Sequence, residues 1–113
     1  MDFTTAIKTV LLENYANFHG RAQRSEFWWF ALFAFVVSAV LGTLGDILPA
    51  LFALAILLPG IGVAVRRLHD VDRSGWWYLL VLIPVLGSLI LIFAFFIHRG
   101  TRGENRFGPD PAA

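Results

Sequence analysis

Cysteine is absent from this chain and charged residues are scarce, since Asp, Glu, Lys and Arg make up 15% of its 113 residues. Soluble domains carry about 25%. Without cysteine, the chain cannot form a disulfide, use a thiolate as a nucleophile or bind a metal through sulfur. The formal net charge is +1, so no strong field of one sign favours nucleic acid. We therefore expect no nucleic-acid partner.

Apolar residues, in contrast, are in excess. They make up 58% of the chain, whereas soluble domains have about 45–50%. The length allows one domain, 1–113, and a domain of this size cannot hide the excess in its core, because it still exposes much of its surface. A lipid bilayer can accommodate the excess, so the composition predicts a membrane protein.

Three long runs contain no charged residue: 27–45, 47–65 and 76–97. Each is close to the roughly 20 residues that cross about 30 Å of hydrocarbon. Backbone groups find no partner in lipid, so these runs must be helical. We predict an all-α, multi-pass transmembrane protein with membrane helices at 24–45, 47–68 and 76–97, followed by a polar tail at 98–113.

The first two helices are predicted to extend beyond their charge-free runs because the turn between them shortens both arms. If the turn uses 42–49, the remaining arms reach only about 22–24 Å, which is short of the hydrocarbon core. Extending the helices to Arg24 and Leu68, with arginines reaching the surface, restores most of the length. A hairpin that enters the bilayer only in part is the alternative.

The segment 3–18 has an apolar residue every three or four positions, which is typical of an amphipathic helix. Lys8 and Glu13 lie on its opposite face. We predict that this helix lies in the membrane interface with its apolar face towards the lipid. Packing of the same face on the membrane helices is the alternative.

Small residues are spaced four apart in the first two membrane helices, which favours close helix packing and a homo-oligomer. They are Ala34, Ser38 and Gly42 in the first helix, and Gly60 and Ala64 in the second. Pro59 and Pro84 predict bends in the second and third helices. A substrate pathway at these bends is the alternative to packing, but no ionisable residue lies well inside a run to mark one.

Polar residues form three clusters, at 20–26, 66–75 and 100–111. Arginine presents a fork of donors that matches phosphate, so we interpret the clusters as contacts for lipid headgroups or a partner. The alternative is that they anchor the helices and pair with one another, as Arg67 and Asp70 would. The candidate binding residues are Arg21, Arg24, Arg66, Arg67, His69, Asp70, Arg73, Trp76, Asn105 and Arg106.

No catalytic motif accompanies these clusters. His69, Asp70 and Asp72 are of metal-ligand type, with His19 as a further candidate, but neighbouring residues of one short loop rarely converge on an ion. Gly-x-Ser-x-Gly and phosphate-binding Gly-Lys-Ser/Thr sequences are absent. We expect no metal, no cofactor and no enzyme activity.

The basic residues predict an orientation. With three crossings, one side holds Lys8, Arg21, Arg24, Arg66, Arg67 and Arg73, and the other holds Arg99, Arg102 and Arg106. This excess places the N-terminus in the cytoplasm and the tail outside. If the tail instead shares a side with the loop after the second helix, one run is re-entrant and the clusters form a single composite polar site.

Three motifs resemble those of a family of small bacterial inner-membrane proteins. They comprise Asn14, Tyr15, Phe18, Gly20, Arg21, Arg24, Glu26 and Trp28; then Arg66, Arg67, Leu68, His69, Asp70, Arg73, Ser74, Trp76 and Trp77; and then Gly103 with Asn105, Arg106, Phe107, Gly108, Pro109, Asp110 and Pro111. In this order and spacing they resemble the proteins typified by YhaH and YhaI, which are catalogued as a domain of unknown function. The resemblance covers residues 14–111.

The resemblance implies a location in the bacterial cytoplasmic (inner) membrane and a multi-pass helical fold, and it brings no activity, substrate or cofactor. It also implies that the motif residues act as a set, foremost Arg21, Arg24, Arg67, His69, Asp70, Trp76 and Asn105. The tight link at Asp46 departs from other members, which can have a longer loop there.

Our leading hypothesis is a non-enzymatic membrane protein that acts through helix–helix association or contacts with anionic lipid headgroups. The second hypothesis is a small transporter or pore subunit, because of the bends at the prolines. A small multidrug transporter has a similar length, but it needs an acidic residue in its first span, and 27–45 has none. The third is a membrane enzyme that uses His69 and Asp70.

Overall fold

The chain folds almost entirely into helices, which confirms the all-α prediction. The computed structural model describes residues 2–83 and 85–111. In chain order, the helices in these ranges are α1 (Phe3–Lys8) with a π-helical turn (Thr9–Glu13), α2 (Arg24–Gly42), α3 (Ile47–Ala55), α4 (Leu57–Asp70), a 3₁₀ helix (Gly75–Leu82), and α5 (Leu86–Leu91) with a π-helical turn (Ile92–Phe96). The β structure in the same ranges is one bridge, between Asn105 and Gly108.

α1 has a capped N-terminus and ends before the predicted boundary. The Asp2 carboxylate accepts a hydrogen bond of 2.8 Å from the backbone N–H of Thr5, which has no partner within the first turn. Hydrogen bonding to Thr5 lowers the pKa of this carboxyl group below its ordinary value. The π-helical turn stops at Glu13, so the predicted helix at 3–18 lacks its last part.

The apolar face of α1 and its π-helical turn packs on the rest of the protein. Ala6 and Val10 are fully buried. Val10 forms a cluster with Ala22, with Phe30 of α2 and with Val63 of α4. The face that was predicted to meet lipid therefore packs on the membrane helices, which is the alternative that the sequence left open.

α2 is the first predicted membrane helix, and it begins at Arg24 as the extended helix requires. Its 19 residues span about 28 Å at about 1.5 Å per residue. One side faces the protein and buries Phe30, whereas Phe35 and Val40 are exposed on the other side. The helix ends at Gly42 rather than at 45.

The second predicted helix, 47–68, is present but bent. α3 and α4 meet at Ile56, with an angle of 51° between them. Pro59 explains the bend, because proline has no N–H for the carbonyl four residues earlier and its ring crowds that carbonyl. That carbonyl belongs to Ala55, and it accepts a hydrogen bond of 2.6 Å from the Tyr15 hydroxyl instead. The predicted bend is thus confirmed.

The prediction of a single membrane helix over 76–97 is wrong. The run forms two segments, the 3₁₀ helix and α5 with its π-helical turn. Between them, Val85 has a φ of 63°, a left-handed conformation through which a helix of L-residues does not continue. Pro84, where the sequence predicts the bend, lies outside the described residues.

These two segments fold back on each other as a hairpin. Gly87 of α5 lies so close to the Leu80 carbonyl that a Cβ atom at position 87 would overlap it. A straight helix over 76–97 would hold its ends about 33 Å apart. Instead, the Thr101 N–H donates a hydrogen bond of 2.6 Å to the carbonyl of Asp70, at the end of α4. The tail and the loop after α4 therefore lie together.

Within the described ranges, one helix, Arg24–Gly42, is long and apolar enough to cross a bilayer alone. The bent pair of α3 and α4 meets the same criteria if it counts as one span, and Leu86–Phe96 is apolar but shorter. By length and composition, these residues hold one candidate span, or two with the bent pair.

The small residues of α4 pack inside the chain. Ala64 is buried in a cluster with Leu91 and Phe95, and a Cβ atom on Gly60 would lie 3.8 Å from the ring of Phe30. In α2, Ala34 and Ser38 are half-buried, and Gly42 is exposed. The predicted packing of Gly60 and Ala64 thus occurs between helices of one chain.

The surface is unusually apolar, and part of the interior is charged. Phe35, Ile47 and Leu54 are at least 70% exposed, whereas Arg67 is 0% exposed and Asp70 is 3% exposed. Soluble monomers rarely expose large continuous apolar patches. This distribution is expected where the outer surface meets lipid and the charged groups pair inside.

Candidate functional site: a buried polar core

Among the described residues, five charged side chains are buried where α2 begins and α4 ends. They are Arg21, Glu26, Arg66, Arg67 and Asp70, each at most 8% exposed. We call this set the polar core. Burying a charge is costly unless the charge is paired and hydrogen-bonded. The partners of these side chains therefore determine what the polar core can do.

Asp70 lies at the centre of the polar core. Its Oδ1 atom accepts a hydrogen bond of 3.0 Å from Arg21 Nε, and its Oδ2 atom accepts one of 2.6 Å from Arg67 Nη1. The three side chains are at most 4% exposed, so water screens their attraction poorly. The predicted pairing of Arg67 with Asp70 is confirmed, and Arg21 joins the pair from 49 residues away.

The π-helical turn after α5 ends against side chains from α2 and α4. The last carbonyl groups of a helix have no partner within it, and cations near them also interact favourably with the helix dipole. Here a tryptophan and two arginines supply the donors. The pairs are Trp28 Nε1 to Phe96 O at 3.0 Å, Arg24 Nη1 to Ile97 O at 3.2 Å, and Arg67 Nη2 to His98 O.

Arg21 also holds the tail. Its Nη1 atom donates hydrogen bonds of 2.7 Å to the Gly103 carbonyl and 3.1 Å to the Gly108 carbonyl, and its Nη2 atom donates to the Thr101 carbonyl. Position 100 needs a glycine, because a Cβ atom on Gly100 would overlap the carboxylate of Asp70. One guanidinium group thus joins the tail to the acid at the end of α4.

A second set of contacts seats the tail on His69. Asn105 donates from Nδ2 to the His69 carbonyl at 2.9 Å, and its Oδ1 atom accepts from the Phe107 N–H at 2.9 Å. The Phe107 ring stacks on the imidazole, with ring centroids 4.0 Å apart. His69 Nδ1 lies 2.8 Å from the carbonyl of Gly20. Because a carbonyl oxygen only accepts, Nδ1 carries the proton and donates.

Glu26 and Arg66 form the other half of the polar core. Arg66 Nη1 donates to Glu26 Oε2, and both side chains are 3% exposed. The Arg66 carbonyl accepts a hydrogen bond of 2.9 Å from the Ala22 N–H. Arg66 Nε and Nη2 are buried and have no partner among the described residues. The charge of Arg66 therefore depends on a single carboxylate.

The candidate binding residues divide into an inner and an outer group. Arg21, Arg66, Arg67, His69 and Asp70 are buried and engaged within the chain. The half-buried Asn105 also holds the tail. The outer group, exposed to the surroundings, comprises Arg24, Arg73, Trp76 and Arg106.

The residues considered for chemistry have structural partners. Ser74 accepts a hydrogen bond of 3.3 Å from the Trp76 N–H, as expected for the cap of the 3₁₀ helix. His69 donates to Gly20, and Asp72 pairs with Arg106 at 3.2 Å. Within residues 2–83 and 85–111, no group of three or more His, Asp or Glu side chains is placed to hold a metal ion.

Several residues of this site were not among the candidates that the sequence analysis selected. They are Tyr15, Glu26 and Trp28, all of which belong to the family motif, and that motif was a signal that could have found them. The carbonyl acceptors at Thr101, Gly103 and Gly108 carry no such signal, because every residue has a backbone carbonyl.

A cavity of about 830 Å³ opens beside the polar core. Residues of α4, of the 3₁₀ helix, of the loop 18–20 and of the tail line it. The lining is apolar at Ile61 and Leu79 and polar at His69, Ser74 and Arg106. The volume lies within the range of small-molecule sites, about 300–1,000 Å³.

Comparisons with known proteins agree with the fold and the motifs. The family described as "Protein of unknown function (DUF805)" matches residues 15–109. The chain is 46% identical over 112 residues to inner membrane protein YhaH of Escherichia coli (strain K12), covering 89% of this chain and 92% of the relative. It is also 46% identical over 108 residues to inner membrane protein YhaI of the same strain, covering 89% and 91%.

A more distant relative is the uncharacterized protein YiiR of Escherichia coli (strain K12), which is 32% identical over 124 residues and covers 83% of this chain and 85% of its own length. No solved structure matches the chain. Neither the names of the relatives nor the placement of the charged residues supports the transporter alternative.

The extent of these matches decides the family. The family match covers most of the chain, and the relatives with 46% identity are named inner membrane proteins. An apolar exterior around a buried polar core agrees with that location. The chain is therefore a membrane protein and belongs to the DUF805 family, as its sequence motifs indicated.

Proposed function

We propose that this chain is a non-enzymatic inner-membrane protein that contacts anionic lipid headgroups through exposed arginines at one end of its helices. The docking of the tail on the polar core is the observation that carries the proposal. Because the tail lies beside the loop after α4, arginines from three parts of the chain share this end. The exposed arginines are Arg24, Arg73, Arg99, Arg102 and Arg106.

We assign the headgroup contacts to the exposed arginines and not to the buried ones. Arg21, Arg66 and Arg67 are buried and pair with carboxylates inside the protein, so they are not exposed to a headgroup. Arg73 and Arg102, in contrast, are exposed and take no part in holding the tail. An exposed arginine near an anionic membrane contributes about 1 kcal/mol to the attraction.

The same distribution supports a cytoplasmic position for the arginine-rich end. The link between α2 and α3, at the opposite end of α2, contains Asp46 and no basic residue. Lysine and arginine are enriched in cytoplasmic loops. The tail arginines, which oppose this orientation in a protein with three crossings, reinforce it when the tail shares a side with the N-terminus.

The absence of enzyme activity is part of the proposal. The support comes from His69 and Asp70, the groups best suited to acid–base chemistry. Asp70 binds two arginines, and His69 donates to a backbone carbonyl and lies beneath the ring of Phe107. Both therefore have structural roles.

Lipid selectivity in reconstituted bilayers tests the proposal. The chain would be reconstituted in phosphatidylcholine with a small fraction of spin-labelled phosphatidylglycerol or spin-labelled phosphatidylcholine, and the immobilised fraction of each label measured. The wild type should prefer phosphatidylglycerol. The double variant Arg73→Gln with Arg102→Gln should lose several-fold of this preference, and salt should weaken the preference of the wild type.

Glu104→Gln is the matched control, because it removes a charge of opposite sign from the same exposed tail. It should raise the preference for phosphatidylglycerol. Equal preference in the wild type and the double variant, at low salt and with both folded, would contradict the proposal.

A further inference from the structure

We infer that the cavity beside the polar core binds one zwitterionic phospholipid whose headgroup combines a phosphate with an ammonium group that has N–H donors, namely phosphatidylethanolamine. The inference deepens the proposed function and rests on it for the placement of this end at the headgroup level. The cavity is a single defined binding site, whereas the proposed function concerns a charged surface.

The shape of the cavity suits a lipid. One wall is α4 from Ile61 to His69, which is about 12 Å along the helix axis. Along this wall the lining changes from apolar at Ile61 and Val65 to polar at His69, and Leu79 of the 3₁₀ helix adds apolar surface. Trp76, at the rim, is 78% exposed, so the cavity opens on the surface of the protein. The apolar part fits an acyl chain that enters from the surrounding lipid.

The polar end offers a donor for the phosphate. Arg106 uses Nε and Nη2 on Asp72, and Nη1 has no partner among the described residues. Two contacts hold the guanidinium group in place. One is the salt bridge to Asp72, and the other is packing on the Phe107 ring, with 4.9 Å from Cζ to the ring centroid. A phosphate oxygen at the cavity mouth can therefore accept from Nη1.

The same end offers an acceptor. The His69 side chain belongs to a residue that is 92% buried, and it lines the cavity. Its Nδ1 atom donates to Gly20, so in the neutral ring Nε2 is an acceptor, and it has no partner in the described part of the chain. An ammonium group can donate to Nε2, whereas the quaternary ammonium of phosphatidylcholine has no hydrogen to donate.

Charge also favours a zwitterionic headgroup. The charge of Arg106 is balanced by Asp72 at 3.2 Å, so this end of the cavity has no large excess of positive charge. A headgroup with one phosphate and one ammonium group places each charge beside a matching group, which a headgroup with only a negative charge does not do.

Native mass spectrometry of the detergent-solubilised chain tests the site. The protein would be incubated with phosphatidylethanolamine and phosphatidylcholine of identical acyl chains in equal amounts. The wild type should retain one lipid per chain, with phosphatidylethanolamine at least tenfold over phosphatidylcholine. Equal retention of the two lipids would overturn the inference.

Leu79→Trp should abolish this retention by filling the cavity, and Leu51→Trp is its control. The two leucines are 54% and 55% exposed, but Leu51 lies on α3, away from the cavity. Arg106→Gln should reduce retention about tenfold, whereas Arg102→Gln, an exposed arginine of the same tail, should not. If Leu79→Trp does not fold, as judged by circular dichroism, Arg106→Gln decides the outcome.

Retention that survives both Leu79→Trp and Arg106→Gln would refute the site.

The two proposals can fail separately. If Arg73→Gln with Arg102→Gln leaves phosphatidylglycerol selectivity unchanged while the cavity variants lose phosphatidylethanolamine, the charged surface is wrong and the cavity site stands. If the double variant loses its preference for phosphatidylglycerol while the cavity variants still retain phosphatidylethanolamine, the charged surface stands and the cavity site is wrong.

Discussion

Arg21 and Asp70 are 49 residues apart in the chain, yet Arg21 Nε and Nη2 lie 3.0 Å and 2.9 Å from the same carboxylate oxygen, Oδ1 of Asp70. Asp70 also binds Arg67, and Arg21 also binds three carbonyl groups of the tail. This pair therefore joins the loop before α2, the end of α4 and the tail into one unit.

Asp70→Asn should destabilise the protein strongly. The change leaves Arg21 and Arg67 buried without their carboxylate, and breaking a buried ion pair costs about 3–5 kcal/mol. The control is Asp72→Asn, which breaks an exposed pair with Arg106 and should cost about 0–1 kcal/mol. Thermal unfolding in detergent, followed by circular dichroism, measures both. Similar losses for the two variants would show that the polar core does not hold the fold together.

Glu26 and Arg66 should be strongly coupled. Glu26→Gln leaves Arg66 charged and buried, with Nε and Nη2 already lacking partners, so we expect a loss of about 3–5 kcal/mol. Replacing both residues, as Glu26→Gln with Arg66→Met, removes the buried charge and should recover most of that loss. A double-mutant cycle measures the coupling energy. Strictly additive losses would contradict the pairing.

The hydroxyl of Tyr15 should stabilise the bend between α3 and α4. Tyr15→Phe leaves the Ala55 carbonyl without its donor, which should cost about 1–3 kcal/mol. In a Pro59→Ala background, the N–H at position 59 can bond to Ala55, so the same tyrosine change should cost much less. Unfolding measurements on the four proteins test this. An equal effect of Tyr15→Phe in both backgrounds would rule out the proposed link to Pro59.

Gly87→Ala should disrupt the hairpin of the third apolar run. A Cβ atom at position 87 would overlap the Leu80 carbonyl, and overpacking typically costs about 1–3 kcal/mol. Gly42→Ala is the matched control, because the nearest atom to a Cβ there, Pro49 Cγ, is 4.0 Å away. Protease sensitivity of the tail and the unfolding temperature should change only for Gly87→Ala. A straight helix over 76–97 would instead be stabilised by alanine at this position.

Single cysteines should place the tail and the loop after α4 on one side of the membrane. The chain has no cysteine of its own, so Leu44→Cys, Arg73→Cys and Glu104→Cys can each be tested with a membrane-impermeant thiol reagent on intact cells. We expect Leu44→Cys to react, and Arg73→Cys and Glu104→Cys to react only after lysis. Labelling of Glu104→Cys but not of Arg73→Cys in intact cells would instead support a topology with three full crossings.

Local features of the fold could be predicted because neighbouring residues determine them. The bend between α3 and α4 depends on Pro59, which lies within about one helical turn of it. The pair of Arg67 and Asp70 spans three positions of one helix, and such residues face each other wherever the helix lies. A local pattern therefore predicted it.

The third apolar run shows what local sequence patterns do not predict. Its composition favours a membrane helix as strongly as that of α2. Pro84 predicted a bend in it, but nothing within 76–97 alone distinguishes a bend from a complete reversal. The reversal lies beside Val85, a residue that seldom adopts a left-handed conformation. The close approach of Gly87 to Leu80 and the seating of the tail on α4 accompany it, and these contacts form only in the folded chain.

The sequence by itself determined that this protein is helical and that it belongs in a membrane, because composition and periodicity are local properties. Only the tertiary structure decided that Arg21 reaches Asp70 and that the arginines of the tail and the loop share one end. The physical reason is that these contacts join residues 31 to 87 positions apart, and many of their acceptors are backbone carbonyl groups, which the sequence does not distinguish.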